Sequence, residues 1–334
     1  MPRRSRIDAA GALHHVIARG VGREPIFQDN QDRADFIDRL SSILRETKTL
    51  CYAWVLIPNH FHLLLRTGRV SIATVMRRLL TGYAVAYNLR HRRSGHLFQN
   101  RYKSILCQEE PYFLELVRYI HLNPLRANIV SDMEGLEDYP FSGHGVIMGR
   151  KTNDWQDVGA VLARFGSGKG GARRKYHEFM IQGIEQGKRA DLTGGGLIRS
   201  VGGWSALDDL RKAKGFVKGD ERILGDGDFV GQVLRDAEDA LKRRYELKAK
   251  GVNLEKVAER VAGLFGMKAE DVWLPGKNRK IVNGRSLLCY WAVKELGETM
   301  TSMARRLNIS VTAVGQSVAR GEALVKEGGY LLLE

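Results

Sequence analysis

Residues 50–67 read LCYAWVLIPNHFHLLLRT, and this stretch decides the fold of the first half of the chain. It is rich in β-forming residues and predicts strand structure over 50–59 that continues as a strand over 60–67. Residues two apart on a strand share one face of the sheet. We therefore expect His60 and His62 to project together, able to grip one cation, while Phe61 and Leu63 point into the core.

The flanking sequence supplies helices and further strands. A strand is predicted over 13–20 and extended structure over 97–108. Apolar residues at helical spacing predict helices over 29–48, 71–93 and 111–130, the first capped by Asp29 or Asn30 and the second by Ser71. Pro111 suits the first turn of the third helix. The resulting order β-α-β-β-α-β-α predicts an α+β fold with helices on a mainly antiparallel sheet.

The amino-acid composition of the sequence changes after about residue 145. Residues 164–175 (RFGSGKGGARRK) and 192–203 (LTGGGLIRSVGG) are Gly-rich and basic, which is typical of a flexible linker, and the first of them departs from a phosphate-binding loop at Ala163 and Gly170. We predict a connecting region over 146–249. A helical pattern returns over 250–334, where two short helices joined at Asn308-Ile309 predict a helix-turn-helix.

Charge and cysteine content narrow the possible partners. The chain of 334 residues carries a net charge of +15, which favours nucleic acid, although a protein that is simply basic is the alternative. No apolar run approaches the roughly 18 residues of a membrane span, and no signal peptide is indicated. Cys51, Cys107 and Cys289 form no CxxC pair, so we expect neither a disulfide framework nor a zinc finger, and a cytoplasmic location.

The helix predicted over 111–130 offers a partner for the histidines. Tyr119 and Asn123 lie at i and i+4, hence on one helical face. An Asn carbonyl can ligate a hard cation, and a phenol beside that cation could attack a phosphodiester. An H-x-H pattern is also common on ordinary strands, and Tyr119 could be a buried ring with a wet hydroxyl. Tyr83 and Tyr87 are rival nucleophiles that rank second, because only Asn88 stands near them as a ligand.

Four stretches taken together resemble a known family. HHVIARGVGREPIF (14–27), WVLIPNHFHLLL (54–65), GHLFQNRYKS (95–104) and VRYIHLNPLRANIV (117–130) occur in this order. Residues 1–145 thereby resemble the single-tyrosine HUH transposases of small insertion sequences, and above all the REP-associated tyrosine transposases. The histidine motif matches at His60 and His62, and the YIHLNP segment matches the nucleophile at Tyr119 and the third metal ligand at Asn123.

The resemblance implies fold, cofactor and activity. It implies a ferredoxin-like HUH nuclease domain that uses Mg²⁺ or Mn²⁺ to nick single-stranded DNA at REP-like hairpins. The tyrosine would become joined to the 5′ phosphate, a 3′ hydroxyl would be left free, and a second 3′ hydroxyl could rejoin the strands. Two alternatives stay open: a non-catalytic regulator or repressor that binds palindromic hairpins, and a replication or mobilisation nickase of the wider HUH class.

Residues 250–334 resemble, more weakly, the DNA-binding domain of the bacterial replication initiator DnaA. The similarity runs through the basic loop and the helix-turn-helix, but ISVTAV stands where the initiator has its Asp-His-Thr-Thr run, so base preference does not carry over. The expected partners are single-stranded or hairpin DNA, duplex DNA at this domain, and no membrane, with the chain a monomer or homodimer. The candidate DNA-contacting residues are Arg19, Arg77, Arg78, Arg93, Arg101, Tyr102, Lys103, Lys277, Arg279, Lys280, Thr312, Gln316 and Arg320.

Overall fold

The computed structural model describes residues 11–68, 70–187, 189, 192, 220, 222–276 and 278–333. It divides into two compact units, one up to Val233 and the other from Leu234 onward. The division lies inside the region 146–249. Most of the Gly-rich stretch 192–203, and Lys277 of the basic loop, lie outside the described residues.

The first unit is built on one sheet with the strand order β2-β3-β1-β4-β5. Its strands are β1 (Leu13–Arg19), β2 (Leu50–Ile57), β3 (His60–Arg66), β4 (Lys103–Cys107) and β5 (Ile223–Leu224). Pairing is antiparallel except between β4 and β5, which run parallel. The helices are α1 (Asn30–Thr47), α2 (Ile72–Arg90), α3 (Glu109–His121), α4 (Asn123–Arg126), α5 (Met133–Asp138), α6 (His144–Met148), α7 (Val158–Leu162) and α8 (Lys169–Gln182).

The sequence signals for the helix ends act as expected. The Asp29 carboxylate accepts from the amide of Asp32 at the start of α1, and the Ser71 hydroxyl accepts from the amide of Thr74 at the start of α2. The helix predicted over 111–130 is shorter, because α3 ends at His121. Pro124 has no N–H to donate to the carbonyl four residues earlier, so the helical ladder is interrupted there.

The two faces of the sheet carry separate hydrophobic cores. Phe61, Leu63 and Leu65 pack with α1 and α2 on one face, which confirms that Phe61 anchors β3 in a core. On the other face, Leu64 packs with α3 and with the short helices that follow it. The alternation along β3 therefore sends its histidines to the α3 face. The α+β prediction is confirmed.

The segment predicted to connect the domains contributes to the first unit. Residues 169–175, which composition suggests are part of a flexible linker, are the start of α8, so that interpretation is wrong for them. Ala172, Tyr176 and Met180 of α8 are buried in the same core as α3. β5 lies further along the segment and pairs with β4 at the sheet edge.

The second unit is helical in the part of it that the structure describes. Helix α9 (Gly227–Ala249) leads into it, and α10 (Leu254–Phe265), α11 (Arg279–Tyr290), α12 (Met300–Leu307) and α13 (Val311–Gly328) follow. Asn308 takes the left-handed conformation after α12, and the Ser310 hydroxyl caps α13. This is the turn expected between the two helices, although α13 is longer than expected. Across the described residues, no helix is long and apolar enough to span a bilayer.

Candidate active site

The antiparallel register of β1 and β3 gathers imidazoles on the α3 face of the sheet. His62 stands opposite Ile17 and His60 opposite Arg19. His60 and His62 share one face, with ring centroids 5.2 Å apart. His15, two residues before Ile17, lies on the same face, and its ring stacks on that of His62 at 5.1 Å. The structure therefore confirms the paired projection of His60 and His62 and adds a third imidazole.

His62 is fully enclosed by this arrangement. Its Nδ1 is 2.9 Å from Nε2 of His15. Burial holds the pKa of His62 well below 6.5, and the neighbouring His15, His60 and Arg19 lower it further. The imidazole is consequently neutral at physiological pH, which is the form that can bind a cation.

His60 is fixed by its neighbour in the sequence. The Asn59 side chain donates from Nδ2 to the carbonyl of Arg23, which turns its Oδ1 toward Nδ1 of His60 at 2.6 Å. Because an amide oxygen can only accept, Nδ1 of His60 carries the proton and Nε2 keeps its lone pair. Burial, reinforced by the charge of Arg19, lowers the pKa of His60 to about 4. His60 is thus also a neutral donor of one defined nitrogen.

Tyr119 packs edge-on against the two buried histidines. Its ring centroid lies 5.7 Å from that of His62 and 5.9 Å from that of His15. The guanidinium carbon of Arg126 lies 5.3 Å from the Tyr119 ring centroid. Arg126 also donates to the carbonyl oxygens of Tyr119 and Gly183, both at 3.4 Å. A cation held over the ring favours the phenolate form that a nucleophilic tyrosine must reach.

The Asn123 side chain hydrogen-bonds to the backbone at the end of the helix that carries Tyr119. Its Nδ2 donates to the carbonyl oxygens of Tyr119 at 2.9 Å and Ile120 at 3.2 Å. The Ile120 carbonyl is the one that Pro124 leaves without its helical donor. The amide nitrogen is thereby committed to the backbone, and Oδ1 is the atom that remains as a ligand. Asn123 is the first residue of α4 and lies against the C-terminal end of α3, four residues after Tyr119.

The chemistry of these donors fits a divalent cation. His60 and His62 offer neutral imidazole nitrogens, and Asn123 offers a neutral oxygen. Among the described residues, no cluster of three or more His, Cys, Asp or Glu could hold a metal ion, so an ion here would depend on the amide oxygen and on open positions. Open positions are what substrate oxygens require at a catalytic metal.

Two of the candidate DNA contacts border the imidazoles. Arg19 is the cross-strand neighbour of His60, and Lys103 pairs with Ile17, which lies between Lys103 and His62 across the sheet. The side chains of Arg19, His60 and His62 share one face, and Lys103 shares it because it alternates with the core residue Ile105. Both cations are exposed and suited to contact phosphate. Arg101, two residues before Lys103, is exposed as well.

The other candidates of the first unit lie elsewhere. Tyr102 is 7% exposed in the core under α1 and α2, so its ring cannot stack on a base and that prediction is wrong. Arg77 and Arg78 belong to α2, on the opposite face of the sheet, and Arg78 pairs with Glu46. Arg93 lies over the Tyr87 ring at 5.8 Å. Arg77, Arg78 and Arg93 therefore do not border the histidines.

Tyr83 and Tyr87, the alternative nucleophiles, lie on the opposite face of the sheet from the histidines. Tyr83 and Tyr87 are buried in the α1–α2 core, and their hydroxyls donate to the carbonyl oxygens of Ile26 and Pro25. Burial raises the pKa of both phenols. A buried phenol on the far side of the sheet cannot reach a phosphate held by His60 and His62, so Tyr119 is the tyrosine that fits.

The described C-terminal candidates are all exposed, and two of them also make hydrogen bonds within the unit. Thr312, Gln316 and Arg279 are exposed. The Lys280 ammonium donates to the carbonyl of Gly266 at the end of α10. Arg320 donates to the hydroxyls of Ser286 and Ser317. Part of the hydrogen-bonding capacity of Lys280 and Arg320 is therefore used within the unit.

Residues 10–123 match the family model described as "Transposase IS200 like". The matched residues make up about a third of the chain. The match includes both histidines of the motif, Tyr119 and Asn123. Among solved structures, the chain is similar to the REP-associated tyrosine transposase bound to a REP hairpin, at 17% identity and a TM-score of 0.39 over 47% of this chain and 94% of that one. No curated protein matches the chain.

Sequence analysis did not identify two residues that contact the candidate site, His15 and Arg126. His15 could have been found, because the alternation in LHHVIAR predicts that one of its two adjacent histidines faces each side of the sheet. Arg126 carried no such signal. Its position over Tyr119 depends on the break at Pro124 and on the carbonyl of Gly183, which lies 57 residues further along the chain.

Proposed function

We propose that the protein is a metal-dependent single-stranded DNA endonuclease and strand transferase that acts at hairpin sequences, with Tyr119 as its nucleophile. The observation that carries the proposal is the packing of Tyr119 against His62 and His15, within the residues that match the IS200-like transposase model. The resemblance of four sequence stretches to the REP-associated tyrosine transposases suggests the class of substrate.

The covalent step exchanges one phosphoester for another. The Tyr119 oxygen forms a bond to phosphorus while the bond from phosphorus to the 3′ oxygen breaks. The phenol gives up its proton, and the 3′ oxygen takes one up and leaves as a hydroxyl. The product is a 5′-phosphotyrosine, and attack by another 3′ hydroxyl reverses the exchange and joins strands. The number of phosphoester bonds is unchanged, so no nucleoside triphosphate is consumed.

The residues around Tyr119 divide the remaining work. Arg126 favours the phenolate by its charge over the ring. Arg19 and Lys103 offer positive charge where the phosphate backbone would pass. His60, His62 and Asn123 would hold Mg²⁺ or Mn²⁺, whose contribution when bound is to polarise the scissile phosphate.

The C-terminal unit has a separate proposed role. Its exposed Thr312, Gln316 and Arg279 would contact duplex DNA, while the internal bonds of Lys280 and Arg320 hold the helices that present them. We retain the domain division 1–145, 146–249 and 250–334 as a proposal about function, with α8 and β5 structurally part of the first unit.

The test is covalent capture of DNA. The full chain is incubated with Mn²⁺ and single-stranded DNA hairpins taken from the palindromes found near its gene by sequencing, then denatured and resolved by electrophoresis. We expect a protein–DNA adduct with the wild type and with Tyr112→Phe, which removes another phenol from α3. Tyr119→Phe should form none. An adduct with Tyr119→Phe, or none with the wild type, would show that the proposal is wrong.

A further inference from the structure

The two adjacent histidines of β1 have different surroundings because they point to opposite faces of the sheet. The Nδ1 atom of His14 is 3.1 Å from the Ser104 hydroxyl. His15 reaches the α3 face, where its Nε2 is 2.9 Å from Nδ1 of His62. Both side chains are fully buried. Only His15 touches the candidate metal site.

The bond between His15 and His62 restricts where the protons can lie. A neutral imidazole has one nitrogen that donates and one that accepts. If His62 is to bind a cation, the nitrogen that does so must be Nε2, because Nδ1 is engaged with His15. Nε2 then carries the lone pair and Nδ1 carries the proton, which is donated to Nε2 of His15. His15 must accordingly be protonated on Nδ1.

We propose that His15 is a positioning residue for His62: it accepts the Nδ1 proton of His62 and so fixes the tautomer and the ring orientation that present Nε2 to a divalent cation. Histidines that bind metals usually donate their second nitrogen to a carboxylate or a carbonyl. Here an imidazole fills that place. Asn59 has the same relation to His60, so each histidine of the motif has its own acceptor.

The position of His15 also links the ligand to the nucleophile. Its ring stacks on His62 with an interplanar angle of 25° and meets the Tyr119 ring edge-on at 74°. A shift of His15 would therefore move the surroundings of both the cation and the phenol. The inference rests on the proposed function, because it assumes that His60 and His62 hold a cation.

The experiment measures Mn²⁺ binding to the full chain by titration calorimetry, without DNA. Loss of an acceptor behind a metal ligand typically costs about 10- to 100-fold in metal affinity. We expect His15→Phe, which keeps a ring but has no acceptor, to weaken Mn²⁺ binding by about that factor. His15→Gln, whose amide oxygen can accept from Nδ1 of His62, should restore most of the loss.

His14→Phe is the matched control, since it removes an equally buried imidazole from the neighbouring position on the other face. It should bind Mn²⁺ as the wild type does. Circular dichroism establishes that each variant is folded. A role limited to packing predicts the reverse pattern, in which His15→Gln binds as weakly as His15→Phe, or His14→Phe loses as much affinity; either result overturns the inference.

Failure of the proposed function looks different. In that case the wild type binds no Mn²⁺, or binds it as tightly after His60→Ala, and the inference about His15 falls with the metal site. If the wild type binds Mn²⁺ through His60 and His15→Phe binds it unchanged, the proposed function stands and only the role of His15 is refuted.

Discussion

Replacement of Tyr176 by Phe tests whether α8 holds the helix that bears Tyr119. The Tyr176 hydroxyl lies 2.8 Å from Nδ1 of His121 on α3 and 3.0 Å from Nδ1 of His144 on α6. All three side chains are fully buried. One hydroxyl has one proton, so it donates to one imidazole and accepts from the other, and the two histidines must be opposite tautomers.

The expected loss follows from what Phe leaves behind. A buried donor and a buried acceptor lose their partner together, and each costs about 1–3 kcal/mol, so we expect α3 to be destabilised by about 2–6 kcal/mol. The Nε2 atoms of His121 and His144 have no hydrogen-bond partner among the described residues. No other hydrogen bond of either imidazole therefore offsets the loss of the Tyr176 hydroxyl. At about 1.4 kcal/mol per tenfold, amide exchange in α3 should accelerate about 30- to 20,000-fold.

Hydrogen exchange followed by mass spectrometry of peptides from 109–126 provides the measurement. Tyr139→Phe is the control, since it also removes a phenol hydroxyl from the first unit, but from a half-buried position where the hydroxyl donates to the carbonyl of Leu56 and contacts no histidine pair. We expect that variant to change exchange by about tenfold or less. Exchange in Tyr176→Phe that is no faster than in Tyr139→Phe would refute the reasoning.

Three further predictions concern charge, packing and pH. Arg126→Gln should slow formation of the Tyr119 adduct about 5- to 30-fold, because the cation–π contact is worth about 1–2 kcal/mol. Arg164→Gln, which removes an arginine from over the Phe113 ring, should not slow it. Equal rates for the two variants would contradict the role of Arg126. Gly321→Ala should destabilise the C-terminal unit by about 1–3 kcal/mol in urea unfolding, because its Cβ would lie 2.2 Å from the carbonyl oxygen of Ser286. Gly263→Ala, with open space at its Cβ, should stabilise α10. An unchanged free energy of unfolding in Gly321→Ala would show that the backbone at Ser286 moves to make room. Burial lowers the pKa of His14 from 6.5 to about 4, so between these pH values the unfolded chain binds a proton at His14 and the folded chain does not. About 3 kcal/mol of stability that is present above pH 6.5 is therefore lost as the pH falls to about 4. Urea midpoints measured from pH 7.5 to 4.5 should fall less for His14→Phe than for the wild type, and parallel curves would rule this out.

Much of the first unit could be predicted because its signals are local. Alternation assigned the faces of β3, and the caps at Asp29 and Ser71 set the starts of α1 and α2. The same rule could have removed Tyr102 from the DNA contacts, because it alternates with Lys103 and so faces the opposite side of the sheet. The helical stripe of Ala172, Tyr176 and Met180 could likewise have revealed α8, but the glycines before it dominated the interpretation.

Other features depend on contacts between distant parts of the chain. β5 has two residues and joins β4 from a position more than 100 residues later, so no periodicity could indicate it. The bond between His15 and His62 requires the register of β1 on β3, which neither strand contains by itself. Sequence therefore pointed to candidate ligands and a candidate nucleophile, whose types and spacing are informative, and missed His15 and Arg126, which contact them in the structure.

The match to the IS200-like transposase model ends at Asn123, but residues beyond Asn123 also surround Tyr119. Arg126 lies beyond that point, and it is tied to Gly183 just after α8. Arg118 of α3 is held from the same side, since its guanidinium lies 4.1 Å from the Phe179 ring centroid. A Cβ on Gly183 would come within 2.4 Å of the Arg118 side chain, so the two segments can approach this closely only through a glycine. The matched segment thus supplies the proposed reacting groups, while α8 and the residues around it contact the helix that carries Tyr119.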